Sequence, residues 1–286
     1  MPDLTAANAD AISAAADLDQ RYLLPPEAPA AYRAQGFIKL PGVLQEATLQ
    51  GAARDIRAEV RQRNRQDKPM AARSTYEKAF LQIMNLWRVS PAVARFCASR
   101  KLARLAAELM GCSGVRMYHD QALFKEPGGG ITPWHCDQQY WPFAGRECVT
   151  VWIPLQAVPP EMGPLAFSIG SHRHDFGREL EISDESERTI AQALTLRDLP
   201  VDEGAFALGE ISFHAGWTFH RAGPNRSTAM REVMTIIYFA DGMRLAEPRN
   251  RNQRNDWETW MPGARVGEPI ATELNPLLWS AGAPSV

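Results

Sequence analysis

Two kinds of hydrophobic patterning divide this chain. Between about Gln45 and Asn64, Leu49, Ile56 and Val60 recur on one side of a charged stretch, the spacing of an amphipathic helix. A second helix is expected from Ser90-Pro91, with serine as cap and proline in the first turn. It carries Phe96, Leu102, Leu105 and Leu109, and Gly111 ends it. Gly36 to Leu40 reads as a first strand stopped by Pro41-Gly42, and residues 1–30 as a short Ala-rich helix followed by an irregular connector. From Gly114 the pattern shortens into β-rich segments broken by Gly and Pro. The expected strands are Val115–Lys125, Trp134–Gln139, Cys148–Leu155, Leu165–Ser168, Gly204–Leu208, Glu210–His214, Thr218–His220 and Glu232–Ala240. Many short strands without alternating helices argue for a sandwich or barrel.

Between the strands, Arg178–Leu199 reads as helical, with Asp184-x-x-Glu187 as its capping box. A lid and a plain surface excursion are equal readings of it. The polar run Arg249–Asp256 reads as a solvated loop. One domain over 1–286 is expected: helical support over about 1–111, a β core over about 112–241 and an irregular segment over 242–286.

Composition narrows the class. The chain is 45% hydrophobic and 22% charged with net charge −2, so it has no basic excess to draw nucleic acid. Four cysteines, Cys97, Cys112, Cys136 and Cys148, show no CxxC spacing and read as reduced thiols. The start lacks a basic segment followed by an apolar one, and no apolar run approaches the roughly 18 residues of a membrane span. A cytoplasmic location is the resulting expectation.

The candidate chemistry begins at Pro133-Trp-His-Cys-Asp-Gln-Gln-Tyr-Trp141. On an extended segment, His135 and Asp137 project from the same face and Cys136 from the other. An imidazole and a carboxylate so placed bind a divalent ion without a tight turn. The triplet alone is weak; its matching half is Ile211–Asp241, which holds His214, His220, Asn225 and Arg231. Two histidines and one carboxylate make a facial set of the kind that holds non-haem Fe(II) and leaves positions open. Arg231 opens a return strand and is placed to hold a carboxylate through two parallel hydrogen bonds.

With these residues in view, the chain resembles the phytanoyl-CoA dioxygenase family of Fe(II)/2-oxoglutarate oxygenases. The resemblance rests on Tyr32–Leu44, on Leu123-Phe-Lys-Glu-Pro-Gly-Gly-Gly130, on Gly170-Ser-His-Arg173, and on the spacing from His135-x-Asp137 to His220 and Arg231. It implies a mainly β fold with flanking helices: a double-stranded β-helix, or jelly-roll barrel, buttressed by N-terminal helices. It implies His135, Asp137 and His220 as ligands, with His220 preferred to His214 because Gly223-Pro-Asn and Arg231 follow it at the family's spacing. It implies Fe(II), 2-oxoglutarate and O2 as cofactors, with ascorbate as a stimulant, and places Trp152 and Gln82 near the cosubstrate. Lys125 is a further candidate for a cosubstrate carboxylate, against the alternative that it snorkels to solvent. His172 and His174 fall in a family turn, where no metal is expected.

The implied reaction is oxidation, foremost hydroxylation, of a C–H bond in a small-molecule metabolite, with release of succinate and CO2. Asp137 favours hydroxylation over halogenation, because related halogenases vacate that position for chloride. Tyr140, Trp141 and Trp217 are the expected substrate wall, suited to an apolar or planar molecule. The rival readings are a cupin-type dioxygenase that needs no 2-oxoglutarate, and a barrel that binds without catalysis. Arg231 argues against the first and the complete ligand set against the second.

Overall fold

The computed structural model describes residues 16–282, and most of the Ala-rich start lies outside them. The chain enters through helix α1 (Ala28–Gln35), strand β1 (Phe37–Leu40) and helix α2 (Glu46–Arg63). Next come α3 (Thr75–Ala79) and β2 (Leu81–Met84), a strand the sequence pattern did not announce. The single helix expected after Ser90 is two: α4 (Pro91–Cys97) and α5 (Arg100–Met110). Ser99 explains the break, because its side chain caps a fresh helix by accepting from the Leu102 N–H.

The β region contains β3 (Gly114–Lys125), β4 (Thr132–His135), β5 (Cys148–Pro154) and β6 (Leu165–Ser168). After helix α6 (Asp184–Leu196) follow β7 (Val201–Glu203), β8 (Ile211–Ala215), β9 (His220–Ala222) and β10 (Arg231–Ala240). The strand expected at Gly204–Leu208 lies earlier, at β7, and Phe206 keeps only an isolated bridge to Val158. β9 begins where Thr218–His220 was expected to end, because Thr218 turns inward to bond the Gly36 carbonyl. The capping box of α6 is formed by Ser183 and Ser186, not by Asp184 and Glu187.

The strands form two antiparallel sheets. The larger has the order β1-β8-β5-β10-β3 and is completed by β11 (Leu277–Ser280), with β2 also paired to β3. The smaller runs β4-β9-β6-β7. The double-sheet jelly roll expected from the family is therefore present, as two facing sheets rather than a closed barrel. Phe37 of the large sheet stacks on Phe167 of the small one at 4.4 Å between ring centres.

Period-two alternation assigns the faces of the large sheet. Val149, Val151 and Ile153 of β5, with Met234, Ile236 and Tyr238 of β10, pack outward against the helical layer. Thr150 and Trp152, with Arg231, Thr235 and Ile237, face the space between the sheets. Both faces of β10 are covered, so its sequence reads as a nearly continuous apolar run. The outer layer is anchored by α5, whose Leu102, Leu105 and Leu109 are all buried. Truncating any one of these to alanine should cost about 2–5 kcal/mol of stability.

The polar run expected to be a solvated loop is instead helix α7 (Arg251–Trp260), capped by Asn250 and docked by Gln253, which donates to the Gln139 carbonyl. The C-terminal segment is thus a structured wall of the molecule, and its last strand pairs with β3.

Candidate metal centre

One cross-strand pair of the small sheet lines the cavity between the sheets. His135 of β4 lies directly opposite His220 of β9, and a bulge precedes the pair on β4. The predicted strand Trp134–Gln139 stops at His135, and Asp137 opens a 3-10 turn. Cys136 between them stays extended, so the carboxylate returns to the imidazole side while Cys136 joins an apolar cluster with Trp134, Ile190 and Phe219. One donor atom from each of His135, Asp137 and His220 lies within 4.8 Å of the others. Asp137 Oδ1 is 3.7 Å from His135 Nε2 and 3.5 Å from His220 Nε2.

The surrounding hydrogen bonds fix which atoms are free to ligate. His135 Nδ1 lies 2.7 Å from the Pro133 carbonyl and His220 Nδ1 lies 3.0 Å from that of Thr218. A carbonyl only accepts, so both Nδ1 atoms carry the proton and both Nε2 lone pairs point at the gap. Burial drives both rings toward the neutral form, His135 to about 3 and His220 to about 4. Asp137 keeps Oδ1 for the gap because Oδ2 is taken. The Thr150 hydroxyl donates to Oδ2 at 2.7 Å and His214 Nε2 sits 3.1 Å away. Thr150 and His214 are themselves cross-strand partners on β5 and β8. Burial alone would raise the Asp137 carboxyl; the imidazoles of His220, His214 and His135 and the His214 hydrogen bond outweigh that and hold it below its usual range. Neutral imidazoles and a fixed carboxylate are a donor set that fits a divalent iron.

Deeper in the same cavity lies Arg231. It is 2% exposed, stands 5.6 Å from the Trp152 ring, and has no carboxylate within ion-pair distance among the described residues. One amino group donates to the Gly163 carbonyl at 2.6 Å, while Nε has no partner. Gly163 is needed there: its φ is +71°, and a Cβ would run into the Gly223 carbonyl. Burial lowers the Arg231 guanidinium to about 10, which leaves it charged at neutral pH. A buried, charged and unpaired guanidinium is a costly arrangement that an incoming anion relieves.

The cavity encloses about 220 Å³. Beyond the metal cluster and Arg231 it is lined by aromatic and amide side chains, including Tyr76, Phe80, Gln82, Tyr140 and Trp141.

A model of the phytanoyl-CoA dioxygenase (PhyH) family matches residues 32–233. The chain belongs to that family. Its cofactors follow from membership and from the His135–Asp137–His220 cluster: Fe(II), 2-oxoglutarate and, for a dioxygenase, O2. A curated relative from Stutzerimonas stutzeri, a probable alpha-ketoglutarate-dependent hypophosphite dioxygenase, is 28% identical over 155 residues, or 52% of this chain. The match spans 53% of that relative, about half its length. Among solved structures, the alpha-ketoglutarate-dependent carbocyclase SnoK from nogalamycin biosynthesis shares the fold at TM-score 0.73. It is 22% identical over 89% of this chain and 96% of its own. The epimerase SnoN, in complex with Fe3+, alpha ketoglutarate and nogalamycin RO, follows at TM-score 0.70 and 23% identity over 88% and 98%.

In this phytanoyl-CoA dioxygenase family chain, the remaining predicted residues fall unevenly. Trp152, Gln82, Tyr140 and Trp141 all line the cavity. Trp217 does not; it packs beneath Arg178, 4.6 Å from its guanidinium, in the cluster under α6. Lys125 neither reaches solvent nor lines the cavity. It is fully buried, and its ammonium donates to the carbonyls of Gly130 and Gly223 and to Thr132 Oγ1. It sits opposite Arg231 in the β3–β10 register, and burial with that neighbouring charge pushes it well below the usual lysine range. His172 bonds the Arg33 carbonyl from a surface turn.

Several cavity residues escaped the sequence reading: Tyr76, His119, Gln121, Thr235 and Asp256. For three of them a signal was present. His119, Gln121 and Leu123 alternate along β3, and Thr235 stands opposite Gln121 on β10. The period-two rule applied from Lys125 and Arg231 finds them. Tyr76 and Asp256 come from short helices and carry no such signal. No helix among the described residues is long and apolar enough to cross a membrane. The four cysteines are free thiols, and burial raises Cys97, Cys136 and Cys148 above their usual range.

Proposed function

We propose that this chain hydroxylates a C–H bond of a small organic molecule, with 2-oxoglutarate as cosubstrate. The observation that carries the reading is Arg231. A buried guanidinium with no acidic partner, in the same cavity as a two-histidine, one-carboxylate cluster, is what a dicarboxylic cosubstrate needs and what a cupin-type dioxygenase without one does not. His135, Asp137 and His220 would hold the iron, and Arg231 would pair with the far carboxylate beside Trp152. When bound, iron and 2-oxoglutarate supply the activation of O2, with succinate and CO2 released as the substrate is oxidised.

The chain's own residues contribute geometry and exclusion of water. Thr150 and His214 keep Asp137 turned toward the metal. Trp141, Tyr140 and Ile182 wall the chamber, and the Tyr140 hydroxyl accepts from the Ile182 N–H at 2.9 Å, which ties the segment before α6 to the site. That tie supports a covering role for 178–199. An intact Asp137 argues for hydroxylation over halogenation. The Stutzerimonas relative is described as acting on hypophosphite; an aromatic-lined chamber of about 220 Å³ supports an organic substrate here.

The test is turnover with Fe(II), ascorbate and 2-oxoglutarate across a panel of small metabolites. The expected product gains one oxygen atom, with one succinate formed per product. Succinate formation that never depends on any small molecule, or oxidation without 2-oxoglutarate, contradicts the reading.

A further inference from the structure

The end of the cavity away from Arg231 holds a second ionisable group with no counter-charge within ion-pair distance among the described residues. Asp256 comes from α7, the helix that replaces the expected loop, and its carboxylate lines the chamber. Its Oδ2 accepts the Tyr118 hydroxyl at 2.8 Å. No lysine, arginine or histidine among the described residues lies within ion-pair distance of it. The Tyr76 phenol, at the rim, is raised to about 12 by burial, with both Asp256 and Asp137 contributing. Tyr76, Asp137 and Asp256 line one and the same chamber.

The chamber that Asp256 lines is otherwise aromatic and uncharged polar on the side of Tyr76. The aromatic residues Tyr76, Phe80, Tyr140 and Trp141 line the same chamber. Between them runs a chain of uncharged polar groups. Tyr76 donates to Gln82, Gln82 donates to Gln121 at 2.7 Å, and Gln121 Nε2 lies 3.5 Å from His119 Nδ1. His119 is neutral, driven down to about 3 by burial, and so brings no positive charge. The charge balance then becomes informative. Among the groups that line or would occupy the cavity, ferrous iron, the Asp137 carboxylate, dianionic 2-oxoglutarate and the Arg231 guanidinium cancel one another; Lys125 lies outside that lining, held by three oxygen acceptors. Asp256 is the one further carboxylate of that lining among the described residues.

We propose that Asp256 is the substrate anchor of this chamber, and that the substrate is a small molecule bearing a cationic nitrogen. A carboxylate beside several aromatic faces, with no resident cation, is how proteins hold ammonium groups. Burial raises the Asp256 carboxyl to about 7, so a cation arriving beside it favours the ionised form. Docking a cation there restores the ionised form and leaves Tyr118 bonded to the other oxygen. The assignment rests on the oxygenase reading of the cavity, because the charge balance counts the iron and its cosubstrate.

The test uses the anaerobic protein loaded with Fe(II) and 2-oxoglutarate, with benzylamine and benzyl alcohol as a matched cationic and neutral probe pair. Binding is measured by calorimetry, and the weak visible band of the iron–cosubstrate complex is recorded for every variant. Wild type should prefer benzylamine by about tenfold or more, the scale of one charge-assisted hydrogen bond. Asp256→Asn should erase that preference while the band persists, and Asp256→Glu should retain it. Equal affinity for the two probes, binding of neither, or a preference that survives in Asp256→Asn overturns the assignment. Absence of the band in wild type strikes instead at the oxygenase reading, so the two failures are distinguishable.

Discussion

The two ends of the cavity are built by different means. At the metal end every group sits on, or two residues beyond, a strand. His135 faces His220 across β4 and β9, Thr150 faces His214 across β5 and β8, and Arg231 faces Lys125 across β10 and β3. Cross-strand registers leave little freedom, and the histidines are locked further by backbone carbonyls. At the other end the groups come from α3, from the turn after β4, from the segment before α6, and from α7. These are joined by side-chain hydrogen bonds such as Tyr118 to Asp256 and Tyr140 to Ile182. The rigid end suits chemistry that must not vary, and the assembled end suits a substrate that differs among relatives.

The contrast breaks most sharply at the candidate ligands. Asp137→Ala or His220→Ala should abolish iron retention and bring succinate formation below detection, with little effect on probe binding at Asp256. Iron content by metal analysis and succinate by chromatography check this. Next comes Arg231→Gln, which should raise the apparent KM for 2-oxoglutarate by about a hundredfold, the order expected when one partner of a buried charge pair is lost. Iron content should stay unchanged, and Arg231→Lys should restore little because the paired contact is lost.

Thr150→Val tests the layer behind the ligands. Freeing Asp137 Oδ2 should weaken iron binding by about tenfold, measured by competition with a chelator.

The smallest effects are on stability of the metal-free protein, and their signs differ. His119 has its folded pKa near 3, below the ordinary 6.5, so the unfolded chain binds more protons between those values. Stability should fall as pH drops from about 6.5 toward 3, and His119→Asn should flatten that slope. Asp256 is shifted the opposite way, so its contribution is present below its ordinary pKa of 3.8 and lost as pH rises through about 7. At pH 8 Asp256→Asn should therefore melt above wild type, while at pH 3 the two should coincide. Thermal melts across pH read both.

The same contrast explains what the sequence made legible. The His135–Asp137–His220 cluster was readable because His135-x-Asp137 is local and the later half carries Gly223-Pro-Asn and Arg231 at a recognisable spacing. The strands β3, β5, β8 and β10 were readable because apolar runs bounded by Gly and Pro mark them. Trp217 misled because a tryptophan near a ligand strand serves equally well to pack under a helix, and there it meets Arg178. Lys125 misled because nothing local shows three acceptors converging on its ammonium. Arg249–Asp256 misled because a helix that is polar nearly all round lacks an apolar stripe. It is held by its Asn250 cap, by Gln253 and by Asp256, contacts to residues more than a hundred positions away in two of the three cases.

The central claim is that His135, Asp137, His220 and Arg231 together hold ferrous iron and 2-oxoglutarate. An anaerobic titration of the protein with Fe(II), followed by 2-oxoglutarate, tests it directly. A weak visible charge-transfer band should appear only when both are present, saturate at one equivalent of each, vanish in Asp137→Ala, and need far more cosubstrate in Arg231→Gln. A saturating iron complex whose spectrum is indifferent to 2-oxoglutarate would contradict the account.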